Sequence, residues 1–94
     1  VKMGMHAGIV LQAAEIAAPT STGTASTVGS SIFVRVVNSG TTAYLVTLVD
    51  APSGNVLGST TVAGQESLIL SKAKTDCIFA ANAAIKLSQV GTRG

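Results

Sequence analysis

The run Ile32-Phe33-Val34-Arg35-Val36-Val37, then Asn38-Ser39-Gly40-Thr41, then Thr42 to Val49, constrains this chain more than any other feature. Two stretches rich in Val, Ile, Leu, Thr and aromatics flank a Gly-containing turn, and these residue types fit a pleated surface. The pattern predicts a β-hairpin around which the fold is built. Both side-chain registers of its first stretch are largely apolar. Ile32, Val34 and Val36 share one face, while Phe33 and Val37 share the other with Arg35. A sheet with one face in water alternates apolar and polar residues. The second face is therefore expected to meet another surface.

Turn signals divide the rest of the chain at short intervals. Asp50-Ala51-Pro52-Ser53-Gly54-Asn55 combines Pro, Gly, Asp and Asn, and Ala63-Gly64-Gln65-Glu66, Lys74-Thr75-Asp76 and Ala81-Asn82-Ala83 follow it. Between them lie strand-like segments at Val56 to Val62, Ser67 to Lys72, Cys77 to Ala80 and Ala84 to Val90. Gly58 interrupts the first of these, as at a bulge or a close backbone approach. Short strands at this spacing predict an all-β fold: a small antiparallel β-sandwich or barrel of about six or seven strands.

The first 31 residues read differently. Residues 3–18 fit two patterns. Ile9, Leu11 and Ala13 alternate as in a strand, and Ile9, Ala13, Ile16 and Ala17 fit one face of a helix. Pro19 ends either element. We expect an extended N-terminal arm or strand over 1–18. Residues 19–31 hold eight Ser or Thr and two Gly, the composition of a loop, and 13 residues make it long enough to cross between sheets. Residues 32–94 form the expected sandwich body. Ala17-Ala18-Pro19 resembles a signal-peptidase site, but Glu15 falls where the apolar region should be, so no signal peptide is expected.

Composition narrows the function classes. The chain is 47% hydrophobic but only 11% charged, against about 25% charged in ordinary soluble domains. Such a surface suits a protein that lives in an assembly. The six cations are scattered, and three aromatics are too few for base stacking, so nucleic acid is not an expected partner. No run reaches the roughly 18 apolar residues of a membrane span, so neither is a membrane. Cys77 lies in apolar sequence and is expected to be buried and inert. His6 and Cys77 alone do not supply a metal site, and His6 has no nucleophile elbow beside it. Glu66 and Asp76 stand at strand entrances. There they are expected to accept hydrogen bonds from turn amides or to pair with Lys72 or Lys74, rather than to form the carboxylate pair of a glycosidase. No phosphate loop is present. We expect no catalytic residue, no metal and no cofactor.

Gly64-Gln65-Glu66, Leu68-Ile69-Leu70, Lys72, Asp76-x-Ile78-x-Ala80 and Ile85-Lys86-Leu87 follow one another in the second half. This succession resembles small β-sandwich proteins of tailed bacteriophage particles. In these a Gly/Glu turn leads into an apolar strand ending in Lys, then an Asp-x-Ile/Leu-x-Ala segment and a final strand. The resemblance spans about residues 33–90; Cys77 and the Ser/Thr loop depart from it. It implies a non-enzymatic virion structural protein: a capsid decoration (cement) protein, or a tail or head–tail component. Its partners would be the major capsid protein or other virion proteins and further copies of itself, with assembly in the host cytoplasm. The expected interface residues are Ile9, Leu11, Ile16, Phe33, Val37 and Tyr44, with the arm lying along a neighbouring subunit. The competing expectation is an Ig-like binding module of a surface or fibre protein, with its ligand end formed by Ser39–Thr42 and Pro52–Gly54.

Overall fold

The computed structural model describes residues 9–92. Eight strands are found among them: β1 (Ile9–Leu11), β2 (Ile16–Ala17), β3 (Phe33–Asn38), β4 (Tyr44–Val49), β5 (Val56–Val62), β6 (Ser67–Ser71), β7 (Cys77–Ala80) and β8 (Ile85–Thr92). They form two antiparallel sheets, and their inner faces share one core. The five-stranded sheet runs β1-β8-β3-β6, with β2 also on β8; the three-stranded sheet runs β5-β4-β7. The sandwich read from the turn spacing is the observed architecture. Its strands from β3 onward start and stop within two residues of the expected bounds.

The expected hairpin does not form. β3 pairs with β6 and β8, and β4 pairs with β5 and β7, so the two stretches occupy different sheets. The reason is that the two stretches supply the shared core from opposite sides. Val34 and Val36 face the core from one sheet, and Val46 faces it from the other; all three are buried. Each stretch is the central strand of its own sheet, flanked on both sides by later segments. A local hairpin would occupy one flank of each strand with the other. The half-buried second face of β3 (Phe33, Arg35, Val37) points away from the core.

The chain crosses between sheets at β3→β4, returns at β5→β6, and crosses twice more before β8. The first two crossings meet at Asn38, which is wholly buried. Its Nδ2 donates to the carbonyls of Thr42 (2.7 Å) and Val62 (3.0 Å), and its Oδ1 accepts from Gly40 N–H (2.9 Å). Backbone bonds from Asn38 N–H to Glu66 O (2.9 Å) and from Gln65 N–H to Asn38 O (3.1 Å) tie in the second crossing. The two turns touch closely. A Cβ placed on Gly64 would lie 2.5 Å from the carbonyl oxygen of Thr41, so glycine is required there by contact with backbone.

The core consists of aliphatic side chains, the largest wholly buried ones being Ile78, Ile85 and Leu87. At β5 the register with β4 shifts between Leu48 and Val49, opposite Gly58 and Val56. The bulge signalled by Gly58 is present. No backbone approaches that glycine, because a Cβ there would meet open space.

Residues 9–31 close one side of the sandwich. Ile9–Leu11 and Ile16–Ala17 are extended and pair with β8 of the same chain. Ala18 is buried in the core, and its N–H reaches Ile85 O (2.8 Å). The described part of the arm docks on its own body, since the unpaired edge of β8 lies within reach; residues 1–8 lie outside the described residues. The Ser/Thr-rich segment then follows the free edge of β7. Pro19 O accepts from Ala80 N–H, and Ser26 exchanges both backbone bonds with Ile78. A short 3₁₀ turn spans Thr22–Thr24, with Ser21 as its N-cap. Hydroxyls hold the turn that follows: Ser26 Oγ accepts from Val28 N–H (3.0 Å) and Thr27 Oγ1 from Ser30 N–H (3.2 Å). Val28 has φ 53°, an unfavourable region for a β-branched residue, and is buried in the core.

Replacing Asn38 with Ala leaves two carbonyls and an amide without their partner at the crossing. The expected loss is about 3 kcal/mol of unfolding free energy in urea titrations, the scale of orphaned buried polar groups. Gly64→Ala is expected to destabilise by about 1–3 kcal/mol through overpacking against Thr41. Equal stability of either variant and the native chain would overturn this account of the corner.

Candidate functional site

The outward face of the five-stranded sheet carries an apolar row built by register. Leu11 and Phe33 both stand opposite Val90, one from each side, and Ser71 continues the row beyond Phe33. Directly paired residues share a face, so Leu11, Val90 and Phe33 lie side by side. Val90 is buried between its neighbours, whereas Leu11 is 72% exposed and Ile9, two residues along the same strand, 47%. In the next row Arg35 stands between Ser88 and Ile69, and Ile69 is 48% exposed. Val37 follows between Lys86 and Ser67. Ser88 Oγ donates to Glu15 (3.5 Å) at the edge of this face.

Four of the six expected interface residues thus come together: Ile9, Leu11, Phe33 and Val37. Ile16 and Tyr44 do not join them. Ile16 pairs with Leu87, whose side chain is in the core, and so belongs to the opposite face. Tyr44 pairs with Val62 in the other sheet and packs against the core. Ile69 is the surface residue the sequence reading missed. It lies between Leu68 and Leu70, and the period of two gives it the opposite face from those half-buried neighbours.

The carboxylates are occupied with backbone and hydroxyl groups. Glu66 Oε1 accepts from Ala63 N–H (2.8 Å), Asp76 Oδ2 from Ala73 N–H (3.1 Å) and Asp50 Oδ1 from Asn55 N–H (2.8 Å). Glu66 and Asp76 close turns, one of the two roles expected of them. Among the described residues no three of His, Cys, Asp and Glu are placed to hold a metal ion. His6 lies outside those residues. Cys77 is buried with Ala25, Val49 and Phe79, its Sγ 3.6 Å from Thr75 O. No helix among the described residues is long and apolar enough to cross a membrane.

The two loops expected to form one ligand end lie at opposite ends of the sandwich. Residues 39–43 lead into β4 and residues 50–55 leave it. The first group neighbours residues 63–66 and Ala84; the second neighbours Thr22, through Ser53 N–H to Thr22 O (2.9 Å). A single binding end built from both is excluded by the length of β4 between them.

No family model, no curated protein and no solved structure matches this chain.

Among the described residues, Lys72 is the one cation with a marked electrostatic setting. It is only 7% exposed, and its Nζ donates to Ala73 O (3.2 Å). Burial takes its ammonium out of water and lowers its pKa below the ordinary 10.5, with Asp76 and Cys77 partly opposing the shift. The unfolded chain then binds the proton more tightly than the folded one. Stability from this group therefore rises with pH between the lowered folded value and 10.5. Over that window the native chain is expected to gain stability relative to Lys72→Met, read by urea unfolding at successive pH values. A difference that stays flat with pH would refute it.

Proposed function

We propose that this chain is a non-enzymatic structural subunit of a virus particle, and specifically a capsid decoration (cement) protein that binds the shell and stabilises it through apolar contacts. A tail or head–tail connector subunit is the nearest variant of the same reading. The observation that carries it is the outward apolar row of Leu11, Val90 and Phe33, extended by Ile9 and Ile69 on a rigid sheet. Burying apolar surface contributes about 25 cal/mol per Å² before the costs of association. The 11% charged composition supports the same conclusion, since it supplies few charges that a subunit interface would have to desolvate. The turn-and-strand succession from Gly64 to Leu87 adds the resemblance to tailed-phage proteins. In this reading the partners are the major capsid protein and other virion proteins, and the protein resides in the virion after assembly in the host cytoplasm.

Mass spectrometry of purified particles from the source, scaled to the major shell protein, tests the proposal. A ratio near one is expected for a shell decoration protein, and a few per cent for a neck or tail component. Absence from particles overturns the reading. Leu11→Lys changes the most exposed residue of the row and is expected to leave folding intact while weakening particle binding at least tenfold. Undiminished binding would remove the row from the interface.

A further inference from the structure

The two sheets are protected unequally. On one side, residues 9–17 cover the edge of β8 and residues 19–26 run along the edge of β7. On the other side, β5 and β6 are the terminal strands of their sheets, and among the described residues neither edge has a partner. Between them the sandwich gapes around an apolar cavity of about 150 Å³. Val36, Val46 and Leu48 form its floor, and Gly58 and Thr60 of β5 face Leu68 and Leu70 of β6 across its mouth.

Free edges normally carry Lys, Pro or inward charges that prevent strand addition. Neither Val56–Val62 nor Ser67–Ser71 contains a charge or a proline. The irregularity of β5 is confined to its start, and Gly58–Val62 pairs regularly with β4.

We propose that a second copy of this chain covers this side, pairing β5 with β5 and β6 with β6 antiparallel about one twofold axis normal to the sheets. The pattern is self-complementary, as a twofold interface requires. Centred on Ile69, the β6 pair sets Leu68 opposite Leu70 of the second copy and Ser67 opposite Ser71. One step further the pairing ends, since Glu66 and Lys72 are engaged within their own chain, Glu66 with Ala63 N–H and the buried Lys72 with Ala73 O. The middles of β5 and β6 flank the same cavity, so a single axis serves both pairs. The joined sandwich closes the mouth over Leu68 and Leu70 and satisfies the free backbone groups of four edges. A seven-residue edge about 23 Å long, on two sheets about 10 Å apart that span roughly 20 Å with their outward side chains, gives a contact on the order of 1,000 Å² in total, the lower bound for a stable pair. The pairing stands on the fold alone and needs no virus particle; of the outward row only Ile69 lies on this edge, while Leu11, Val90 and Phe33 lie on the strands beyond it.

Sedimentation velocity of the full chain, from low-micromolar to submillimolar concentration, is the test. The native chain is expected to reach twice the monomer mass. Ile69→Lys places two ammonium groups against each other at the axis, on an exposed position, and is expected to weaken association at least tenfold with an unchanged circular dichroism spectrum. Ser59→Lys, also exposed, repeats the test on β5. Leu11→Lys is expected to remain dimeric. A native chain that stays monomeric throughout overturns the proposal and leaves the edge to a strand of another protein. A dimer that survives both edge variants, or that only Leu11→Lys dissociates, overturns it in favour of another face.

Discussion

Two passages of the chain between sheets meet at one buried carboxamide. At a crossing the backbone leaves its ladder, so its carbonyls and amides lose their partners while still inside the protein, where an unpaired polar group is costly. Asn38 supplies two donors and an acceptor at that point, bridging the end of β3, the turn toward β4 and the last carbonyl of β5. Gly64 lets the second turn press against the first. With this corner in place, β3 and β4 become central strands of facing sheets, and the remaining strands pack around them. The interior is then filled mainly by aliphatic side chains, with Tyr44 and Phe79 packed against it, which is what a chain with three aromatics has to offer.

The treatment of edges organises the rest. An N-terminal segment of low charge could have remained free, yet its described part is spent covering β8 and β7. Its Ser and Thr residues are not mere loop composition. They cap a 3₁₀ turn and hold the left-handed turn that seats Val28 in the core. One flank is thereby closed. The outward row and the β5/β6 edge remain as two surfaces, one of side chains and one of backbone, that meet at Ile69. Under the two proposals they take different partners, a capsid shell for the first and a second copy of the same strands for the second.

Much of the fold was legible in advance. Turns such as Asp50–Asn55 and Ala63–Glu66 carry their own chemistry: Asp50 and Glu66 each accept a turn amide, as their residue types and positions suggest. The candidate site was less legible. Leu11, Phe33 and Val37 could be chosen as surface residues from excess apolar character. Their common face arises because β8, some 50 residues later, lies between β1 and β3. Tyr44 has the same local signature as Phe33 and yet belongs to the core, because its strand lies in the other sheet.

By itself the sequence determined the strand segments, their turns, the all-β class and the scarcity of charge, because these depend on residue types within a few positions of one another. Only the tertiary structure decided which strands are neighbours. It separated β3 from β4, brought the arm onto β8, and left β5 and β6 at the open side. The physical reason is that backbone pairing is indifferent to sequence, so one strand can satisfy its N–H and C=O groups against almost any other. The choice among partners is made by the closing of the shared core and by the few buried polar groups, Asn38 foremost, that must be satisfied at once.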